Sequence, residues 1–177
     1  MRRSHHSRNR FLHGIAGAAA LACAALPLAA PAACTGKYAA MQSWAGSYLH
    51  EKNLLAAPPV AARLQQLPAT VRNHLKRNLF VAGTIDLVGC GLVLTGIAAH
   101  MGGEEGAIVD LNLYSGAVTI GIHSRGRIDI WLDKAPATAT QRSLYDEVPG
   151  AVRNWAVLAD MGFPYQQPRS VRVHAPR

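Results

Sequence analysis

The chain has 177 residues, half of them hydrophobic, with 18 Lys and Arg against 10 Asp and Glu. Four of the basic residues (Arg2, Arg3, Arg8, Arg10) crowd into the first ten positions, so residues 34–177 hold 14 basic against 10 acidic groups, a net of +4. That charge is spread along the chain with no basic stripe interleaved with aromatics, which excludes nucleic acid as the expected partner; the 144 residues left are enough for one domain with its own core.

Residues 1–33 read as a secretory signal peptide. After the basic start, Phe11 to Ala30 has no charged side chain apart from the titratable His13, and small residues near Ala30 or Ala32 suit cleavage. The alternative is a retained membrane anchor, because the apolar run is nearly long enough to span. Pro27, Pro31 and the change to mixed sequence after Cys34 favour cleavage, which leaves an exported chain with no membrane segment. Two cysteines then remain, Cys34 and Cys90. An even count in an exported protein suits a disulfide, which would close a loop of about 56 residues and stabilise by roughly 4 kcal/mol in the chain-entropy model. The same two residues also read as unpaired thiols, with Cys34 in a loose N-terminal tail.

Residues 34–57 form an irregular N-terminal segment. Tyr38, Met41, Trp44, Tyr48 and Leu49 have partly helical spacing, but Gly36 and Gly46 weaken it. The main domain covers residues 58–164. Pro58 and Pro59 open a helix, since proline suits a first helical turn, and Val60, Leu64 and Leu67 share one face of it. After Pro68, Val71 and Leu75 predict a second short helix with Arg72, Lys76 and Arg77 on its wet side.

Five alternating segments follow. Val81, Ile85 and Leu87 share one side of the first, and Leu92, Leu94 and Gly96 one side of the second. The third sets Ala107, Val109, Leu111 and Leu113 against Ile108, Asp110 and Asn112. The fourth sets Val118, Ile120 and Ile122 against Thr119, Gly121 and His123. The fifth sets Ile128, Ile130 and Leu132 against Arg127, Asp129 and Trp131. Period-two alternation gives each strand one buried and one wetter face. Three joints contain a glycine able to take positive φ (Gly89, Gly116, Gly126), as tight hairpins need. Asp133–Thr140 is a connector, and Pro149 opens a final helix with Val148, Val152, Trp155 and Ala159 in a stripe, ended at Met161–Pro164. Residues 165–177 form a basic mobile tail, in which Val171 and Val173 have the spacing of a short edge strand. The predicted fold is α+β: a five-stranded antiparallel meander with helices packed on one face.

Only the second-to-third connection, about Ala98 to Gly106, exceeds hairpin length. Long loops in compact domains usually carry function. This one holds His100 among small residues, then Gly102, Gly103, Glu104 and Glu105. No catalytic constellation competes with it. Ser115 and Ser124 lie in ordinary turns, no Gly-x-Ser-x-Gly elbow occurs, and the Gly-rich pieces lack the lysine of a phosphate loop. Of the five remaining histidines (His50, His74, His100, His123, His174) none has helical zinc spacing, and His123 reads as an exposed sheet residue. His100 with Glu104 and Glu105 falls short of the three or four convergent ligands a metal needs. No catalytic residue, metal or cofactor is therefore expected. A histidine at a narrow loop tip suits a cleft lined by carboxylates, because both ring nitrogens donate when it is charged; the plainer reading is a flexible surface loop in which His100 is incidental.

From the helix and Leu67-Pro68-Ala69-Thr70-Val71 onward, through strands with a His-bearing loop after the second, the chain resembles the inhibitor of vertebrate lysozyme (Ivy) family of periplasmic bacterial proteins, over roughly residues 58–160. The resemblance implies a central antiparallel sheet, a periplasmic address, a capacity for homodimers, and a loop of the form Cys-Lys-Pro-His-Asp-Cys whose histidine hydrogen-bonds the catalytic carboxylates of lysozyme. Only His100 matches that loop. Ile97 and Gly102 stand at the cysteine positions, Ala98 and Ala99 replace Lys-Pro, and Met101 replaces Asp. On this basis residues Ala98, Ala99, His100, Met101, Gly102, Gly103, Glu104 and Glu105 are the expected target-binding loop, with Glu104, Glu105 and Asp110 making that side locally acidic. The implied partner is lysozyme or another muramidase or lytic transglycosylase. The alternative is an interaction or immunity module of the same fold without inhibition.

Overall fold

In the computed structural model the described residues are 33–101, 104–135, 139–159 and 171–175. The predicted signal segment, all but its last residue, lies outside them, and so does the predicted helix stop at Met161–Pro164. After two 3₁₀ turns at Ala39–Trp44 and Leu54–Ala56 the order is α1 (Pro58–Gln66), α2 (Ala69–Asn78), β1 (Val81–Val88), β2 (Gly91–Ile97), β3 (Glu105–Asn112), β4 (Val118–Ser124) and β5 (Arg127–Trp131). Then come α3 (Gln141–Asp146), α4 (Gly150–Ala159) and β6 (Val171–His174). Pro58 and Pro59 do occupy the first turn of α1, and Gly89, Gly116 and Gly126 do take positive φ in the three hairpins. α3 escaped the periodicity reading because Leu144 is its only buried side chain; its start is fixed instead by Thr140, whose hydroxyl accepts from the Ser143 N–H.

β1 to β5 pair antiparallel in sequence order, as predicted, but β6 adds a sixth strand beside β5. It runs parallel to β5, with Ile128 beside Val171 and Trp131 beside His174. The sheet is therefore mixed and six-stranded, a correction to the five-stranded antiparallel expectation. A parallel return needs a long crossover, and the chain that includes α3 and α4 supplies it. Four residues in a basic, proline-flanked tail carry too little pattern to show this. The outer edge of β6 is closed by the Gln141 side chain, whose amide donates to Val173 O (2.8 Å) and accepts from Val173 N (3.0 Å). That contact removes one free rung from an exposed edge.

Helices cover both faces of the sheet, not one. Ala107, Val109 and Leu111 of β3 pack with Leu54, Val60, Leu67 and Leu75 from the N-terminal side of the chain. Ile108, pointing the other way, packs with Leu144, Val152 and Ala156 of α3 and α4. We call these the first and second faces. The second face read as wet because it holds Thr119, Gly121, His123 and Asp110, yet Thr119, His123 and Asp110 are buried. Gly121 explains how: a Cβ there would lie 2.7 Å from the Trp155 ring and 2.8 Å from Ile108, so only glycine lets α4 settle on the sheet. β1 also departs from simple alternation. The register with β2 shifts between Ala82 and Ile85, a bulge that turns Val81 out to solvent while Ile85 is fully buried.

Cys34 and Cys90 are disulfide-bonded, with Cα atoms 5.6 Å apart. The bond ties the N-terminal segment to the β1–β2 turn. Cys90 precedes β2 and the His100 loop follows it, so the bridge braces the sheet end opposite the loop.

Candidate functional site

The connection between β2 and β3 is short-circuited by backbone hydrogen bonds. Ala98 N donates to Glu105 O (3.0 Å), Met101 N to Ala98 O (3.3 Å) and Glu104 N to Met101 O (2.9 Å). His100 is the third residue of the turn that Met101 closes, and its φ is 63°. A left-handed backbone costs a non-glycine residue about 1 kcal/mol or more, although histidine tolerates it better than most. Its imidazole is exposed. Gly102 and Gly103 lie outside the described residues.

The loop stands on a polar base that sequence reading missed. Gly96 lets the end of α2 lie directly on β2, since a Cβ there would meet Leu79 Cα and Val81 O at 3.0 Å. This approach carries Asn78, fully buried, to the sheet. Its side-chain amide donates to Gly106 O (3.1 Å) and His123 O (3.2 Å). Next to it the Arg77 guanidinium donates to Glu105 Oε2 at 2.6 Å, and Ser124 Oγ donates to Glu105 Oε1 at 2.8 Å. Burial works against the Glu105 charge, but the Ser124 hydroxyl, then the Arg77 charge and hydrogen bond, and Asn78 together hold its carboxyl below the usual carboxylate range. Helix α2 is thereby clamped to the first residue of β3, where the loop ends.

These contacts redistribute the predicted loop residues. His100, Met101 and Glu104 are exposed and Ala99 partly so, whereas Ala98 and Glu105 are buried. Glu105 begins β3 and its carboxylate is engaged with Arg77, which belongs to this clamp and not to a solvated face. Asp110 lies mid-strand on the second face, so it does not make the loop acidic; of the three acids named, only Glu104 is exposed there. His123 is buried as well, because α4 covers its face. The only sequence signal for the clamp is a pair of polar residues, Arg77-Asn78, ending a helix directly against a strand.

Around the exposed tip the surface is apolar. Phe80 is 77% exposed, and Val81, Ile97 and Met101 are also among the exposed large hydrophobic side chains. Val81 and Ile97 are register partners, and Phe80, Met101 and the Ala98-Ala99 pair line one shallow hollow with Arg77. The arrangement is an imidazole on a tight turn, set beside a small greasy shelf, with the exposed Glu104 nearby. Among the described residues no three His, Cys, Asp or Glu side chains converge as a metal site would need. No helix among them is long and apolar enough to cross a membrane.

No curated protein and no solved structure matches the chain. The family model described as inhibitor of vertebrate lysozyme (Ivy) matches residues 59–158. That span runs from α1 through the clamp and the His100 loop to α4, and it is more than half of the 177 residues. The chain therefore belongs to the inhibitor of vertebrate lysozyme (Ivy) family.

Proposed function

We propose that this chain is a non-enzymatic periplasmic inhibitor of lysozyme-type, peptidoglycan-cleaving enzymes, and that it works by placing His100 against the target's catalytic carboxylates. The observation that carries the reading is the exposed His100 held at positive φ on a turn, within a chain of this inhibitor family. Strain kept at an exposed tip is a cost to the fold, and such positions concentrate where function needs them. The apolar shelf of Phe80, Val81, Ile97 and Met101 supplies contact area beside the histidine, and the imidazole supplies the charge-assisted hydrogen bonds. In place of loop cysteines, the Ala98–Glu105 backbone bond and the Arg77–Glu105–Ser124 clamp limit how much the loop base must be ordered on docking.

The test is inhibition of a panel of lysozymes and lytic transglycosylases, read as lysis of cell-wall suspensions. His100→Ala should weaken inhibition by about 1–3 kcal/mol, the range for hydrogen bonds to charged groups, or roughly 5- to 150-fold in affinity. His100→Gly relaxes the backbone and should inhibit no better than the alanine variant. Failure of the purified protein to slow any of these enzymes at micromolar concentration sinks the reading. One observation favours a second one, an interaction or immunity module of the same fold: Ile97 and Gly102 stand where the family's loop cysteines would be. A periplasmic partner that His100→Ala still binds would support it.

A further inference from the structure

A cleft of about 770 Å³ opens on the first face, between α2 and the strands β4, β5 and β6. α2 rests on β2, β3 and β4, and beyond it first-face side chains of β5 and β6 line the cleft. One wall is a stripe of α2, Thr70, His74 and Arg77; the clamp residue Glu105 marks its end nearest the His100 loop. The other side is the sheet itself, where Trp131 and His174, register partners on β5 and β6, stand as a stacked pair. Their rings stack with centroids 4.9 Å apart and planes 8° from parallel, and His174 Nε2 lies 2.8 Å from Asp129 Oδ1.

The charge in this cleft is unbalanced. Four arginines (77, 125, 127 and 172) face two carboxylates, Glu105 and Asp129. Glu105 is engaged by Arg77, and Asp129 by His174 and Arg127. Arg125 and Arg172 have no acidic partner among the described residues. Arg125 also sits at φ 51° in the β4–β5 turn, where glycine or asparagine would be less strained. A guanidinium fork matches a carboxylate or phosphate, an aromatic face suits the C–H face of a sugar ring, and a concave site with a few placed polar groups suits a small ligand.

We propose that this cleft binds an anionic sugar, with the sugar packed against the Trp131–His174 pair and the acid group held by Arg125 and Arg172. Asp129 retains lone pairs to accept sugar hydroxyls. The site is separate from the His100 tip, and its test makes no use of inhibition.

The experiment titrates the protein by NMR with N-acetylmuramic acid, N-acetylglucosamine 1-phosphate, neutral N-acetylglucosamine and inorganic phosphate. Either or both acidic sugars should shift the Trp131 indole N–H and the Arg125–Arg127 amides, and which of them does so distinguishes a carboxylate from a phosphate as the preferred group. The neutral sugar should bind at least about tenfold more weakly, as expected for losing a hydrogen bond to a charged group. The double variant Arg125→Asn, Arg172→Gln should lose a similar factor; asparagine tolerates the backbone at position 125, and both side chains are exposed. Should that variant lose its dispersed spectrum, raised salt on the parent protein asks the same question, because exposed charges are screened. Weaker binding supports the proposal. No shift at Trp131, affinity unchanged by the double variant or by salt, or equal affinity for phosphate alone would overturn it.

Discussion

Asp110 should make the protein less stable at neutral pH than in mild acid. Its carboxyl lies on the second face of β3, between its register partners Val93 and Thr119, and is only 6% exposed. Oδ1 has no hydrogen-bond partner among the described residues. Burial pushes the carboxyl up from 3.8 to about 6. The unfolded chain therefore releases this proton near pH 4 while the folded chain holds it until about pH 6. Between those values the folded state binds more protons, so stability falls as pH rises. The penalty is absent below pH ~4 and complete above pH ~7. At about 1.36 kcal/mol per tenfold change in the proton equilibrium it comes to about 3 kcal/mol, or roughly 6–12 °C in Tm for a domain of this size. Asp110→Asn removes the charge and keeps the shape. Its buried amide carries a desolvation cost of its own, about 1–3 kcal/mol, but that cost does not vary with pH. Urea unfolding of parent and variant at pH 4, 6 and 8 isolates the charge. The variant should gain about 2.5 kcal/mol on the parent between pH 4 and pH 8. A difference that stays flat across that range would refute the reasoning.

Glu105 carries the opposite sign. Its carboxyl is held low, so its contribution is present above about pH 5 and is lost as pH falls through its folded value. Glu105→Gln should cost about 1–3 kcal/mol at pH 7 and speed hydrogen exchange at Ala98 N, which bonds the Glu105 carbonyl; equal exchange in both proteins would show that the clamp does not brace the loop. Gly121→Val places side-chain atoms where Trp155 and Ile108 already are and should destabilise by about 1–3 kcal/mol, with Trp155 fluorescence reporting the displaced helix. Reducing the Cys34–Cys90 bond should lower stability by about 2–4 kcal/mol, measured by thermal melting with and without reductant; an unchanged melt would mean that the 56-residue separation is already constrained by other contacts.

Local chemistry was enough to determine the elements with strong periodicity. Pro58-Pro59 started α1, three glycine joints set the hairpins, and alternation in β3 and β4 identified the first-face core. It also isolated His100, because one long connection in a chain of tight turns needs no partner to be noticed. Only tertiary packing decided the rest. Thr119, Gly121 and His123 look solvated from sequence, yet α4 covers them, because burial depends on what lies over a face and not on the face's own polarity. Glu105 looked like a loop acid until Gly96 brought Asn78 and Arg77 within reach of it. β6 is four residues long, so its identity as a strand rests on β5 beside it. The sequence names His100 as the tip, and the structure shows what holds that tip up: a buried carboxylate, an asparagine and a backbone pair where the expected cysteines are missing.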